Sequence, residues 1–344
     1  MTNTKISNLM FACLTNYNAL LGKAKPVVLA GFLVIGLFAQ PAEAALTFGF
    51  NYLNPGQGFD DPIFGSKRKA ALNSAAGMLG SYFKNYNAHL TYNVSSGSVN
   101  EPTLASAGSY SYLTPGSFQP SFVQTKILSN GRKDYNGSAA DGDIDWNFFE
   151  KWGLTDKIKA NEFDFKQIAV HELLHTLGFN SNVRENGKGL GGNAPGTADT
   201  WAIFDNFLTD AAGNRLISSA GVFDSTKVAA LTGGSGVFFN GANAMAASGG
   251  TEIPLYSPSW WQEGSSIAHL DGYNPLMASL LMVPSISRGL GPRTLSAIEI
   301  GMLKDIGYAS ISAPAVVPVP AAIWFMASGL LILFGINRQR KIVL

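Results

Sequence analysis

His171-Glu172-Leu173-Leu174-His175 constrains this chain more than any other stretch, because its residues act together only on a helix. In an α-helix positions i and i+4 share a face one turn apart. Two imidazoles so placed reach one tetrahedral Zn²⁺, and Glu172 projects beside the open coordination position. The flanks predict that helix: the regular element runs over 163–179, with Asp164 as its N-terminal cap and Gly178 marking its C-terminus. Such a site is hydrolytic. Zinc lowers the pKa of its bound water toward ~7, Glu172 takes the proton during attack and returns it to the leaving amine, and the metal polarises the scissile carbonyl.

One Zn²⁺ per chain needs a third protein ligand. A compact site would place it six residues after the second histidine, but that position is Ser181, a poor zinc ligand. Only four histidines occur in the chain, which leaves His89 on an early strand and His269. His269 is the choice, because Asn274-Pro275-Leu276-Met277-Ala278 follows shortly after it, and Met277 there can form an apolar floor under the metal. A carboxylate ligand from a downstream helix is the competing arrangement, with Glu299 in an expected helix and Glu263 in reserve.

With these residues in place the chain resembles leishmanolysin-like metzincins, in which the helix motif ends in Gly-Phe, a long insertion precedes the third histidine, and a Leu-Met-Ala turn follows. His171, Glu172, His175, Gly178, Phe179, His269 and Met277 match that pattern, and 294–308 resembles the family's C-terminal helix. The resemblance implies an α+β, metzincin-like zincin: a twisted sheet with an N-terminal packing helix and a zinc helix, then a loop-rich C-terminal subdomain. It implies a zinc endopeptidase with Glu172 as general base and Met277 as the Met-turn. The chain departs from the pattern in lacking stapling cysteines, and 94 positions separate His175 from His269.

Both ends carry export features. After Lys23 and Lys25 comes an uncharged run from Pro26 to Phe38, then Ala42-Glu43-Ala44, a small-x-small cleavage site, so 1–44 reads as a secretory signal peptide. Cleavage removes Cys13, the one cysteine, and leaves neither disulfide nor thiol nucleophile. At the other end Ala315 to Ile336 is long enough to span a bilayer, and Arg338, Arg340 and Lys341 beyond it place the extreme C-terminus in the cytoplasm. The Val317-Pro318-Val319-Pro320 run, the apolar helix and the basic end resemble the PEP-CTERM sorting signal of Gram-negative bacteria. That resemblance implies a transient inner-membrane anchor cut by an exosortase-type enzyme, then release to the cell surface or medium.

Residues 45–312 therefore form the expected peptidase domain, with an insertion at about 182–262, and 313–344 the sorting tail. A formal charge of +1 excludes a whole-chain field that would draw nucleic acid. The 38 Gly and 16 Pro predict many turns and long loops. Apolar spacing predicts an amphipathic helix over 67–86 packing on a sheet, with strands over 89–94 and 201–208. Asp141-Gly142-Asp143-Ile144-Asp145-Trp146-Asn147 reads either as a Ca²⁺ loop or as an acidic turn entering a strand. That strand, with Ile144 and Trp146 on one face, is the expected edge for an extended substrate. Trp260 and Trp261 either line a subsite or pin a loop. The leading function is hydrolysis of protein or peptide substrates. A matrix-binding protein on an inactive scaffold and a zinc hydrolase of non-peptide bonds are the alternatives.

Overall fold

A computed structural model of the chain describes residues 46–97, 103–233 and 236–314. The expected signal peptide (1–44) and the apolar span expected over 315–336 lie outside the described residues. Among these residues no helix is long and apolar enough to cross a membrane.

The fold is α+β. Its main sheet contains β1 (Leu46–Tyr52), β2 (Ala88–Ser96), β3 (Ala105–Ser109) and, beyond the short β4 (Ser117–Gln119), β5 (Gly142–Trp146). The strand order is β1-β2-β5-β3. Strands β1, β2 and β5 are parallel, and β3 runs antiparallel along β5 from Ala105 opposite Trp146 to Ser109 opposite Gly142. The strand expected to form the substrate edge is therefore interior, and β3 is the edge. Ile144 and Trp146 share a buried face, as their alternation predicts, but sequence alone does not reveal which strand pairs outside β5.

Alternation on β2 buries Ala88, Leu90, Tyr92 and Val94, giving the sheet one apolar face. Two helices cover the core: α1 (Gly65–Gly80) and, after α2 (Phe122–Leu128), α3 (Phe165–Thr176), which pack against each other. Trp146 of β5 stacks on Phe165 of α3 at 4.1 Å between ring centroids, and the Tyr92 hydroxyl meets the Thr176 hydroxyl at 2.8 Å. The sheet thus fixes both ends of α3.

Helix α1 stops at Gly80, short of the expected Tyr86. A Cβ at Gly80 would stand 3.0 Å from the Leu46 carbonyl, so glycine permits this close approach to β1. The apolar spacing continues beyond because Tyr82, Phe83 and Tyr86 turn into the same core, where Phe83 meets Tyr308 edge to face at 5.2 Å.

Paired strands β6 (Trp152–Gly153) and β7 (Phe163–Asp164) lead into α3. In the insertion, β8 (Thr200–Ala202) pairs with β4, and β9 (Leu208–Asp210), β10 (Val237–Phe239) and β11 (Ile253–Pro254) form a small antiparallel sheet. The single strand expected over 201–208 is interrupted by a 3₁₀ turn at Ile203–Phe207. The buried Asp205 carboxylate accepts the Ala202 N–H at 2.9 Å and the Asn182 N–H at 3.0 Å, which bends the chain back toward the exit of α3. Helix α4 (Ala242–Ala247) packs on α5 (Ala297–Asp305), the C-terminal helix. Between β11 and α5 the chain is turns and bridges, the loop-rich region expected there.

Candidate metal centre

Asp164 caps α3 as its sequence position predicts, its carboxylate accepting the N–H groups of Lys166 and Gln167. At the other end the Gly178 N–H donates to the His175 carbonyl at 3.1 Å and the Phe179 N–H to the Leu174 carbonyl at 3.2 Å. This is a Schellman cap, with Gly178 in the left-handed region at φ +95°. The cap turns the Phe179 carbonyl back onto the helix, where it accepts from His175 Nδ1 at 2.8 Å.

His269 arrives by a different route. The 267–271 segment lies beside 254–256, with the Ile267 N–H on the Tyr256 carbonyl and the Tyr256 N–H on the His269 carbonyl, both at 2.8 Å. Ile267 itself has φ +66°, a rare conformation for a β-branched residue, two positions before the imidazole. His269 Nδ1 donates to the Ser265 carbonyl and His171 Nδ1 to the Leu281 carbonyl, each at 2.9 Å.

A carbonyl only accepts, so all three Nδ1 atoms carry the proton and all three Nε2 atoms present a bare lone pair. Those Nε2 atoms form a triangle: 3.0 Å from His171 to His269, and 3.1 Å from His175 to each of the others. Burial above all, with the neighbouring imidazoles, holds His171 down to about 3 and His269 well below the ordinary histidine value. Burial alone holds His175 down to about 4. Three neutral lone pairs aimed at one point repel each other without a cation between them, and a triangle of this size fits an ion about 2.0–2.1 Å from each nitrogen. The group can hold one metal ion.

Glu172, one residue on from His171, is buried, which pushes its carboxyl up to about 8; the Ala107 N–H of edge strand β3, donated to it, acts in the opposite direction. A divalent cation nearby would also favour its ionised form. Beside His175 opens a small cleft lined by uncharged polar groups, among them Ser111, Gln119, Asn180 and Asn182, with Ala202 of the insertion on its wall. A wider cavity of about 450 Å³, lined by Phe64, Arg68, Phe148 and Trp152, includes none of the three histidines.

Other residues singled out in the sequence fall elsewhere. His89 is exposed on β2 and meets the Thr47 hydroxyl at 3.0 Å. Ser181 donates to Asp205 at 2.6 Å. Glu263 is exposed and accepts from the Trp261 indole. Glu299, the competing ligand, is fully buried but caps α5 and is not among the metal-ligating group. Met277 is buried in the core, in a turn closed by its N–H on the Asn274 carbonyl at 2.9 Å, and Leu281 follows four residues later. Trp260 is 62% exposed, while Trp261 packs on the core.

Of the two readings of 141–147, the acidic turn entering a strand is the one the structure bears out. Asp141, Asp143 and Asp145 do not converge: Asp141 pairs with Lys126 at 3.1 Å, Asp143 accepts from the Asn93 amide and the Tyr110 hydroxyl, and Asp145 accepts from the Ser95 hydroxyl. Once Gly142–Trp146 is a strand, alternate carboxylates spread along one face and cannot wrap an ion. Sequence reasoning missed the carbonyls of Phe179, Ser265 and Leu281 and the N–H of Ala107, main-chain groups that carry no residue signature. Compared with known protein families and with curated individual proteins, the chain has no match.

Proposed function

We propose that the chain is an exported zinc-dependent endopeptidase of the metzincin type. The observation that carries this reading is the convergence of three unprotonated Nε2 atoms, from His171, His175 and His269, with a buried carboxylate as the next residue on the same helix. His171, His175 and His269 would hold the zinc, which would supply Lewis acidity for activating a water and polarising a carbonyl.

The chain's own groups do the rest. Glu172 accepts the proton of the attacking water and returns it to the amide nitrogen as the C–N bond breaks. Its distance from bulk solvent keeps that proton between carboxylate and substrate. Strand β3, the end strand of its sheet among the described residues, lies beside α3, and along it an extended peptide adds as a further antiparallel strand. The Nδ1 donations to main-chain carbonyls hold each ring in one tautomer and one orientation.

Elemental analysis of the purified chain should give one zinc per molecule, and the chain should hydrolyse casein. Glu172→Ala should keep the zinc and lose about 10²–10⁴-fold in rate, the range for removing a general base. Zinc-free wild-type protein, or a Glu172→Ala chain as active as wild type, overturns the reading. Export belongs to the same proposal: the external form should end near Val317 to Ala321 by mass spectrometry, and a form ending at Leu344 would replace processing with a plain anchor.

A further inference from the structure

Glu299 has two partners in opposite directions. On its own helix it completes a capping box: the Ser296 hydroxyl accepts the Glu299 N–H at 3.2 Å, and Glu299 Oε2 accepts the Ser296 N–H at 2.7 Å. One oxygen suffices for that. The other, Oε1, accepts the Met282 N–H at 2.8 Å, and the carboxylate also takes the Leu281 N–H. The residue is 0% exposed, and among the described residues no Lys, Arg or His pairs with it. Burying a carboxylate without a cation is costly, and a helix cap alone does not require it.

The Met282 N–H and the Leu281 carbonyl belong to one peptide unit. Its N–H end rests on Glu299, and its carbonyl end accepts from His171 Nδ1 at 2.9 Å. The next carbonyl, of Met282, accepts the N–H of Leu270, the residue after His269, at 2.8 Å. Resting on the metal-site reading above, we propose that Glu299 is a positioning residue for the metal centre, orienting and polarising His171 through the 281–282 peptide. The arrangement is a carboxylate–imidazole–metal relay with an amide interposed. The negative charge strengthens the accepting carbonyl through a hydrogen-bonded chain, and the rigid trans peptide fixes the direction of the imidazole.

The test compares two variants of the full chain by zinc affinity, measured by competition with a chelator, and by thermal unfolding. Glu299→Gln keeps the shape but removes the charge and should weaken zinc about 10-fold or more, the lower range for groups that orient a metal ligand. Ser296→Ala breaks only the helix-cap side. It should lower the unfolding midpoint and leave zinc affinity within about twofold of wild type. If Glu299→Gln is only marginally folded without metal, the rise in its unfolding midpoint on zinc addition should be smaller than that of wild type. Zinc affinity in Glu299→Gln equal to wild type overturns the proposal while the metal site stands, as does a parallel loss in Ser296→Ala, which would make Glu299 a helix cap only. A wild-type chain that binds no zinc overturns the metal-site reading and the proposal together.

Discussion

His171 and His175 reach the centre from one continuous helix, whereas His269 reaches it from a stretch in which no named helix or strand lies between Leu255 and Ser296. The backbone of the first arm is held by a cap at Asp164, a Schellman turn at Gly178 and an apolar face on the sheet, while the ring of His171 leans on the distant Leu281 carbonyl. The second is held by main-chain hydrogen bonds to Tyr256 and Met282, and the Met282 N–H rests in turn on the Glu299 carboxylate. The two arms nevertheless deliver nitrogens to within 3.1 Å of each other. Regular structure is therefore not what makes a ligand precise; closure of its hydrogen-bond network is.

If the irregular arm is an equal partner, His269→Ala should abolish stoichiometric metal binding as fully as His175→Ala, since each leaves two protein ligands of three. Elemental analysis of folded protein checks this, and one ion per chain in His269→Ala breaks the equivalence. From the helical side, Trp146→Ala removes the ring on which Phe165 stacks and should cost about 3–5 kcal/mol in urea unfolding. A loss under about 1 kcal/mol would mean that α3 does not depend on the sheet beneath it.

Asp205 joins the exit of α3 to the insertion that leads toward His269. Burial raises its carboxyl from 3.8 to about 6, so the folded state holds this proton more tightly than the unfolded state. The contribution is fully present below the unfolded value and is lost as pH rises through about 6, a change of about 3 kcal/mol. Denaturant midpoints from pH 4 to 7 should show wild type losing ground to Asp205→Asn as pH increases; a pH-independent difference would remove Asp205 from the account. The smallest effect should separate two glycines. Gly178 and Gly289 both have positive φ, at +95° and +103°, so alanine at either should cost about 1–2 kcal/mol. Only Gly178→Ala should also weaken metal binding, because a Cβ there meets Gln124 Oε1 at 3.0 Å and displaces the turn that carries the Phe179 carbonyl, whereas nothing lies within 4 Å at Gly289. Equal metal affinity in the two variants would show that the turn does not hold His175.

Much of the helical arm was legible in the sequence because caps and i, i+4 spacing act over a few residues. Asp164 and Gly178 sit where such signals should. His269 was legible only by elimination and by the nearness of Met277; the contacts that aim its ring are main-chain groups. What could not be read follows from long-range geometry. The carboxylate of Asp205 bends a sequence with strand composition into a 3₁₀ turn, and an antiparallel neighbour makes β3, with its unremarkable Ala-Ser-Ala-Gly-Ser, the edge strand. Glu299 reads from the sequence only as the competing ligand on an expected helix, and its carboxylate turns toward the 281–282 peptide.

The rings of all three histidines lean on peptide carbonyls contributed by Phe179, Ser265 and Leu281, whose side chains take no part. Of the three, only Ser265 lies outside the core, so a truncation scan would report Phe179 and Leu281 through the packing they lose and stay silent about the carbonyls they present. A transplant of the centre into another scaffold must copy a main-chain trace, not a residue list. Because the direct supports are neutral dipoles, none of the three rings would bring a formal negative charge to an ion seated there.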